Sequence, residues 1–320
     1  MTHRVLVTDA VAHSGLSPLL DDPSFEVVTV DDSSSDEFLV ELAAAEALIV
    51  RSATKVTAAM LDRAPRLSAI GRAGVGIDNC DVEAATERGV AVFNAPGGNT
   101  NAAAELTMAL LISVARKIPA AEASLRAGQW DRAVFKGVEL RGKTLGLIGA
   151  GRIGSEVAVR CRAFDMNVIA YDPYLSPTRA VELDIEMAGL NKVIKKGDFI
   201  SIHVPLTEET TGIIGRESFE RMKSTAFVVN ASRGGVVDEA ALADALHRGV
   251  IAGAALDVYE IEPLPADSPL RDAPNLVLTP HLGASTAEAQ EGVAVEVANK
   301  IRLLLETGNR ADAVNAAQLD

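Results

Sequence analysis

Three side chains late in the chain are suited to oxidising a 2-hydroxy acid: Arg233, Glu262 and His281. An arginine pins a carboxylate through its planar fork of donors and polarises the neighbouring oxygen. A histidine, whose proton affinity lies near working pH, takes the hydroxyl proton as hydride leaves the carbon. A glutamate bonded to that histidine orients the ring and stabilises the imidazolium that forms. Each of the three lies in a polar segment directly after an apolar run: residues 230–235, 257–263 and 279–285, with a fourth such segment at 72–76. If the apolar runs are parallel strands, ligands sit beyond their carboxyl ends, and these segments are where a site belongs. Spacing alone does not bring the three together.

Hydride chemistry needs an acceptor, and residues 143–172 supply a place for one. An apolar run at 143–148 leads into Gly149-x-Gly151-x-x-Gly154; an amphipathic stretch at 152–164 follows, with Ile153, Val157 and Cys161 on one face; a second apolar run at 167–170 ends near Asp172. Strand, helix, strand and acid in that order form one βαβ unit of the dinucleotide-binding kind. Gly149 permits the tight turn, Gly151 lets the backbone approach a pyrophosphate, and Gly154 lets helix and strand pack closely. The helix N-terminus faces the anion, and the Arg152 side chain is placed to add to its positive field. A carboxylate at 172 accepts hydrogen bonds from both ribose hydroxyls and repels a 2′-phosphate, which selects NAD over NADP.

Apolar runs at 4–8, 25–30, 47–50, 67–70 and 90–93 alternate with helical patterns such as 36–45 and 57–64, so a complete α/β domain with a parallel sheet precedes the glycine turn. Residues 99–118 predict one long, nearly all-apolar helix stopped by Pro119, serving as core or as a subunit interface. An arm carrying Trp130 and Phe135 follows it. Strands at 198–204, 226–230, 251–256 and 276–279 complete a second parallel sheet of about six strands, and 285–307 is a single amphipathic helix.

The balance of 30 Lys and Arg against 44 Asp and Glu, a net charge of -14, argues against nucleic acid or an anionic membrane as partner. No apolar stretch is long enough to span a bilayer, and no apolar leader opens the chain, so a cytoplasmic location is expected. Cys80 and Cys161 form no metal-ligand pair and no required disulfide. No metal is expected.

Eight ordered motifs run through essentially the whole chain: VRSATKVT at 50–57, GRAGVGIDNCD at 71–81, NAPGGNTNAAAELT at 94–107, GKTLGLIGAGRIG at 142–154, YDPY at 171–174, NASRGGVVDEAAL at 230–242, LDVYEIEP at 256–263 and TPHLGAST at 279–286. With them the chain resembles the D-isomer-specific 2-hydroxyacid dehydrogenase family. The resemblance implies two Rossmann-like or flavodoxin-like parallel-sheet domains, with the NAD-binding domain (97–285) inserted into a substrate domain formed by 1–96 and completed by 286–320. It implies that Arg233 binds the substrate carboxylate, that Glu262 supports His281 as acid/base, and that Asp257 lies near the nicotinamide. Gly149, Gly151, Arg152, Ile153, Gly154, Asp172, Val204, Pro205, Ala231, Ser232, His281 and Gly283 then line the cofactor.

Substrate choice is expected to rest on Arg51, Ser52, Arg72, Gly74, Val75 and Gly76 of the N-terminal domain, the arginines toward a phosphate and the backbone N–H groups of the glycine-rich turn toward a carboxylate. The activity implied is NAD-dependent oxidation of D-3-phosphoglycerate to 3-phosphohydroxypyruvate by a homodimer joined through the nucleotide domain. The alternatives within the resemblance are a glyoxylate/hydroxypyruvate reductase or a D-lactate-type enzyme; outside enzymes, it is an NAD(H)-sensing corepressor-like protein. The sequence ends soon after Asn315, and serine-binding regulatory domains of long family members are not expected.

Overall fold

The computed structural model describes residues 2–319. The chain divides into two compact units, Met1–Thr100 with Ala284–Asp320, and Asn101–Gly283. The second is inserted into the first, and both are parallel-sheet α/β structures, as the sequence predicts.

In the first unit, strands β1 (His3–Val7), β2 (Phe25–Thr29), β3 (Ala47–Val50), β4 (Ala69–Arg72) and β5 (Ala91–Asn94) form one sheet in the order β2-β1-β3-β4-β5. Every pairing in it is parallel. That is the flavodoxin-like winding. Both faces are covered, which is why the strands read as continuous apolar runs. Val5, Val7, Ile49 and Phe93 pack on one side with Val297 and Ile301 of the long helix Ala287–Thr307; Leu6, Leu48, Val50 and Val92 pack on the other with Phe38 and Leu42. A Cβ at Gly71 would stand 2.2 Å from Val297 Cγ1, so the bare backbone there lets the helix close on the sheet. Asn315, buried near the chain end, accepts from Val92 N–H and donates to Val90 O and Thr86 Oγ1, tying the tail to β5. The fourth strand lies two residues later than the apolar run at 67–70 suggests, because Ala69 pairs with Ala47 and so brings Arg72 level with Val50.

In the second unit, β6 (Thr144–Ile148), β7 (Asn167–Tyr171), β8 (Glu186–Met187), β9 (Phe199–Ile202), β10 (Phe227–Asn230), β11 (Gly253–Leu256) and β12 (Leu276–Leu278) form a seven-stranded sheet ordered β12-β11-β10-β9-β6-β7-β8. The direction of winding reverses between β6 and β9, and the crevice beyond that switch point is where this fold binds ligands. The short edge strand β8 escaped the sequence reading, since its two exposed residues carry no apolar run.

The helix expected over 99–118 is two helices. Thr100–Arg116 buries Ala104, Leu111 and Val114 among the strands; the chain then turns at Lys117, whose φ is 54°, and restarts as Ile118–Arg126. Pro119 therefore opens a helix instead of closing one. Lacking an N–H, proline is tolerated in a first turn, where that donor has no partner anyway. The second helix buries none of its residues.

Candidate active site

The glycine turn leaves β6 at Gly149 with φ 88°, a left-handed conformation that glycine adopts without strain. A Cβ at Gly154 would fall 2.2 Å from Gly149 O, and one at Gly149 would fall 2.6 Å from His203 O, so both positions are closed to a side chain by backbone. Gly151 differs: a Cβ there would meet nothing within 4 Å. Protein packing does not require a glycine at 151, and the open space there is room for a ligand. Gly151 is also the N-cap of helix Arg152–Ala163, and no side chain caps that helix, which leaves its first N–H groups for an anion. The cradle fits a pyrophosphate.

Asp172 stands at the end of β7 and its oxygens are already at work. Oδ2 accepts from Ala150 N–H at 2.7 Å, and Oδ1 accepts from Tyr174 and Leu175 N–H at 2.8 and 3.1 Å. The same carboxylate read as a ribose partner thus also pins the glycine turn to its own loop, a job that spacing does not reveal.

His203, the first residue past β9, was missed by sequence reasoning. It lies beneath the turn, its Cβ 3.5 Å from where a Gly154 Cβ would be, and Nε2 hydrogen-bonds Ser201 Oγ at 2.8 Å. Nδ1 is buried without a partner. Burial pushes the imidazole down to about 4, so it is neutral at working pH. A polar residue closing an apolar strand beside the nucleotide turn was the available signal.

Three loops beyond β10, β11 and β12 carry the acid/base candidates. His281 adopts φ 54°, with its N–H donating to Asp257 O and Thr279 O. This turns the ring toward Glu262: Nδ1 lies 2.7 Å from Glu262 Oε2, while Oε1 of the same carboxylate accepts from Tyr259 N–H. A carboxylate only accepts, so Nδ1 carries the proton and the lone pair of the neutral ring lies on Nε2. Burial opposes ionisation of Glu262, but hydrogen bonds from His281 and Tyr259 N–H and the charges of His281 and Arg233 outweigh it, holding the carboxyl below the usual glutamate range. Arg233 therefore acts electrostatically on Glu262, and its own loop is braced by Asn230, which donates to Arg233 O and accepts from Ser232 N–H and Oγ–H. A Cβ at Gly234 would lie 1.8 Å from Tyr259 O, so the loops of Arg233 and Glu262 touch backbone to backbone.

Asp257 is fully buried and spends its carboxylate on the histidine's loop. Oδ1 accepts from Thr279 Oγ1 and Leu282 N–H, and Oδ2 from Gly283 N–H. Val204 and Ser232 are half-buried, Ala231 is buried, and Arg152 and Pro205 are exposed.

In the first unit, Arg51 and Arg72 stand at the ends of β3 and β4. Arg51 Nη1 donates to Ala10 O at 3.4 Å, and Arg72 Nε donates to Asn79 Oδ1 at 3.4 Å, its guanidinium folded over Gly74. Ser52 is exposed beside Arg51. The expectation that residues 74–76 offer their N–H groups to an anion needs correcting at Gly74, whose N–H donates to Arg72 O at 2.8 Å because the chain turns back on itself there. Val75 O accepts from Asn94 Nδ2.

Residues 108–283 match the family model of the D-isomer specific 2-hydroxyacid dehydrogenase NAD binding domain. The chain belongs to that family. Among its relatives, the D-3-phosphoglycerate dehydrogenase of Mycobacterium tuberculosis strain H37Rv is 50% identical over 311 residues, 97% of this chain and 58% of the relative. That of Archaeoglobus fulgidus is 46% identical over 317 residues, 99% of this chain and 60% of the relative. A solved structure from Thermus thermophilus superposes with a TM-score of 0.87 at 37% identity, covering 97% of this chain and 99% of that one. The chain thus spans less than two thirds of the length of its curated relatives, and nearly all of that structure. As a family member it carries an NAD-binding domain, and among the described residues no helix is long and apolar enough to cross a membrane.

Proposed function

We propose that this protein oxidises D-3-phosphoglycerate to 3-phosphohydroxypyruvate with NAD, the first step of serine synthesis. The observation that carries this reading is the juxtaposition of Arg233, Glu262 and His281 beyond three adjacent strand ends of an NAD-binding sheet, in a chain about half identical to dehydrogenases of that name. Arg233 holds the substrate carboxylate and stabilises the negative charge that builds on the neighbouring C2 oxygen as its proton leaves. His281 Nε2 takes the proton from the C2 hydroxyl, and Glu262 stabilises the imidazolium so formed. NAD, when bound, accepts the hydride from C2. Asp257 keeps His281 in place through the 279–283 loop.

Gly149, Gly151 and Gly154 form the pyrophosphate cradle, with Arg152 adding positive charge, and Asp172 faces the ribose. Ile153, Val204, Pro205, Ala231, Ser232 and Gly283 complete the cofactor's surroundings. The first unit acts as the substrate domain: Arg51 and Arg72 take the phosphate, with Ser52, Val75 and Gly76 beside them. The working unit is a homodimer. Helix Ile118–Arg126 buries none of its residues within its own chain, and Ile118, Leu125, Trp130 and Val134 are exposed along 118–134, an apolar surface that a second copy would cover. Two buried cysteines without a disulfide suit the reducing cytoplasm.

The test is NADH oxidation with 3-phosphohydroxypyruvate, hydroxypyruvate, 2-oxoglutarate and pyruvate in one preparation. A clear preference for the phosphorylated substrate is expected; equal kcat/KM for it and hydroxypyruvate would defeat the phosphate assignment, and no turnover of any would defeat the enzymatic one.

A further inference from the structure

The first unit holds a polar network that none of the roles above uses. At the end of β1, two successive non-glycine residues take left-handed backbone conformations, Asp9 with φ 67° and Ala10 with φ 48°. Asparagine and aspartate visit that region with some ease, alanine rarely, and such pairs persist only where surrounding structure fixes them. The turn carries the Asp9 carboxylate to the loop after β3. There Oδ2 accepts from the N–H groups of both Arg51 and Thr54 at 2.9 Å, and Oδ1 accepts from Thr54 Oγ1 at 2.6 Å. Thr54 is buried. The same loop is gripped at its carbonyls: Asn79 Nδ2 donates to Arg51 O and Thr54 O, each at 2.7 Å, while Asn79 Oδ1 accepts from Arg72 Nε.

Residues 51 and 54 are therefore fixed at both their N–H and C=O groups by side chains far along the chain, and one of those side chains also holds Arg72. Closing a loop does not require this. The loop after β2 is closed locally, by Asp32 accepting from Ser34 two residues on. What distinguishes the loop after β3 is that it launches Arg51, one of two cations at adjacent strand ends. The carboxylate's lone pairs are turned to three donors of that loop, which it orients.

We propose that Asp9, with Asn79 as its counterpart, is a positioning residue for the substrate's phosphate: it fixes the backbone from which Arg51 reaches out and, through Asn79, the start of Arg72. This rests on the reading of Arg51 and Arg72 as phosphate partners. Asp9 touches no reacting atom.

The experiment compares kcat/KM for 3-phosphohydroxypyruvate and hydroxypyruvate, together with NADH affinity and Tm, in Asp9→Ala, Asp9→Asn, Thr54→Val, Arg51→Gln and Arg72→Gln. Asp9→Ala is expected to lower the preference for the phosphorylated substrate about tenfold with NADH affinity unchanged, and Thr54→Val to lower it about threefold, on the scale of one or part of one oriented hydrogen-bond contact. Asp9→Asn keeps an acceptor for the two N–H groups and should restore the preference. A fall in both substrates alike, or in Tm alone, with the preference intact overturns the proposal. If Asp9→Ala does not fold, Thr54→Val and Asp9→Asn decide it by the same ratio: unchanged in Thr54→Val, or lost in Asp9→Asn, overturns it. Loss of preference in the arginine variants but not in Asp9→Ala or Thr54→Val sinks this inference alone, whereas unchanged preference in both arginine variants sinks the phosphate reading beneath it.

Discussion

Glu262 Oε2 and His281 Nδ1 lie 2.7 Å apart across 19 residues of chain, and the histidine reaches that position only because its backbone takes φ 54°. The pair fixes the tautomer of the ring, with the proton on Nδ1 and the lone pair on Nε2.

Replacing His281 by alanine removes the base, and turnover should fall by about 100-fold or more with NADH affinity nearly intact. Glu262→Gln keeps a hydrogen bond to the ring but removes the charge that favours the imidazolium. The plateau of kcat/KM for oxidation should then fall while NADH affinity stays unchanged, because the imidazolium formed in the step has lost its counter-charge. An unaltered plateau would separate Glu262 from the proton transfer.

Gly151 and Gly154 should respond oppositely to alanine. A methyl at 154 meets the Gly149 carbonyl at 2.2 Å, and overpacking against backbone costs about 1–3 kcal/mol, seen as a lower Tm. A methyl at 151 meets no protein atom, so Gly151→Ala should melt like the parent and bind NADH about tenfold more weakly. Calorimetry and NADH fluorescence separate the two; a destabilised Gly151→Ala with normal NADH affinity would remove the argument for the cradle.

The neutral His203 makes the fold acid-sensitive. Its value is about 4 in the folded chain and the ordinary 6.5 when unfolded, so the unfolded state takes up the proton first as pH falls. The stability it contributes is complete above pH 6.5 and is lost progressively as pH drops through about 4, up to about 3 kcal/mol in all. His203→Gln keeps a partner for Ser201 and does not titrate; its urea midpoint should vary less between pH 6.5 and 4. An unaltered slope would exclude His203 as the source.

Glu239 is the converse case. Burial, together with the charges of Glu260 and Glu262, raises its carboxyl although Glu260 N–H donates to it at 2.6 Å. The stability contributed by its protonated form is complete below its unfolded value of 4.5 and lost as pH rises through the raised folded one. Glu239→Gln keeps the acceptor without the charge, and Tm at pH 7 should rise by about 1–2 °C, the gain vanishing below pH 4.5. A constant gain at every pH would show that charge is not the reason.

Much of the fold was legible because buried parallel strands leave unmistakable apolar runs, and because the glycine turn, set between two such runs, admits one geometry. Boundaries failed where local pattern and tertiary pairing disagree. Pro119 reads as a helix stop from its own chemistry, yet the chain had already turned at Lys117. β8 is held by pairing with β7 and not by any apolar character of its own.

By itself the sequence determined the residue types able to do the chemistry, the two α/β sheets and the NAD-binding turn, because periodicity and glycine stereochemistry act over a few neighbouring residues. Only the tertiary structure decided which distant side chains meet. Glu262 found His281, Asp257 became the clamp of the histidine's loop, Asp172 closed back on Ala150, and Asp9 gripped the loop of Arg51. Each is a hydrogen bond between residues 19 to 42 positions apart, aligned by strand register and by left-handed turns, and no local pattern encodes such a distance.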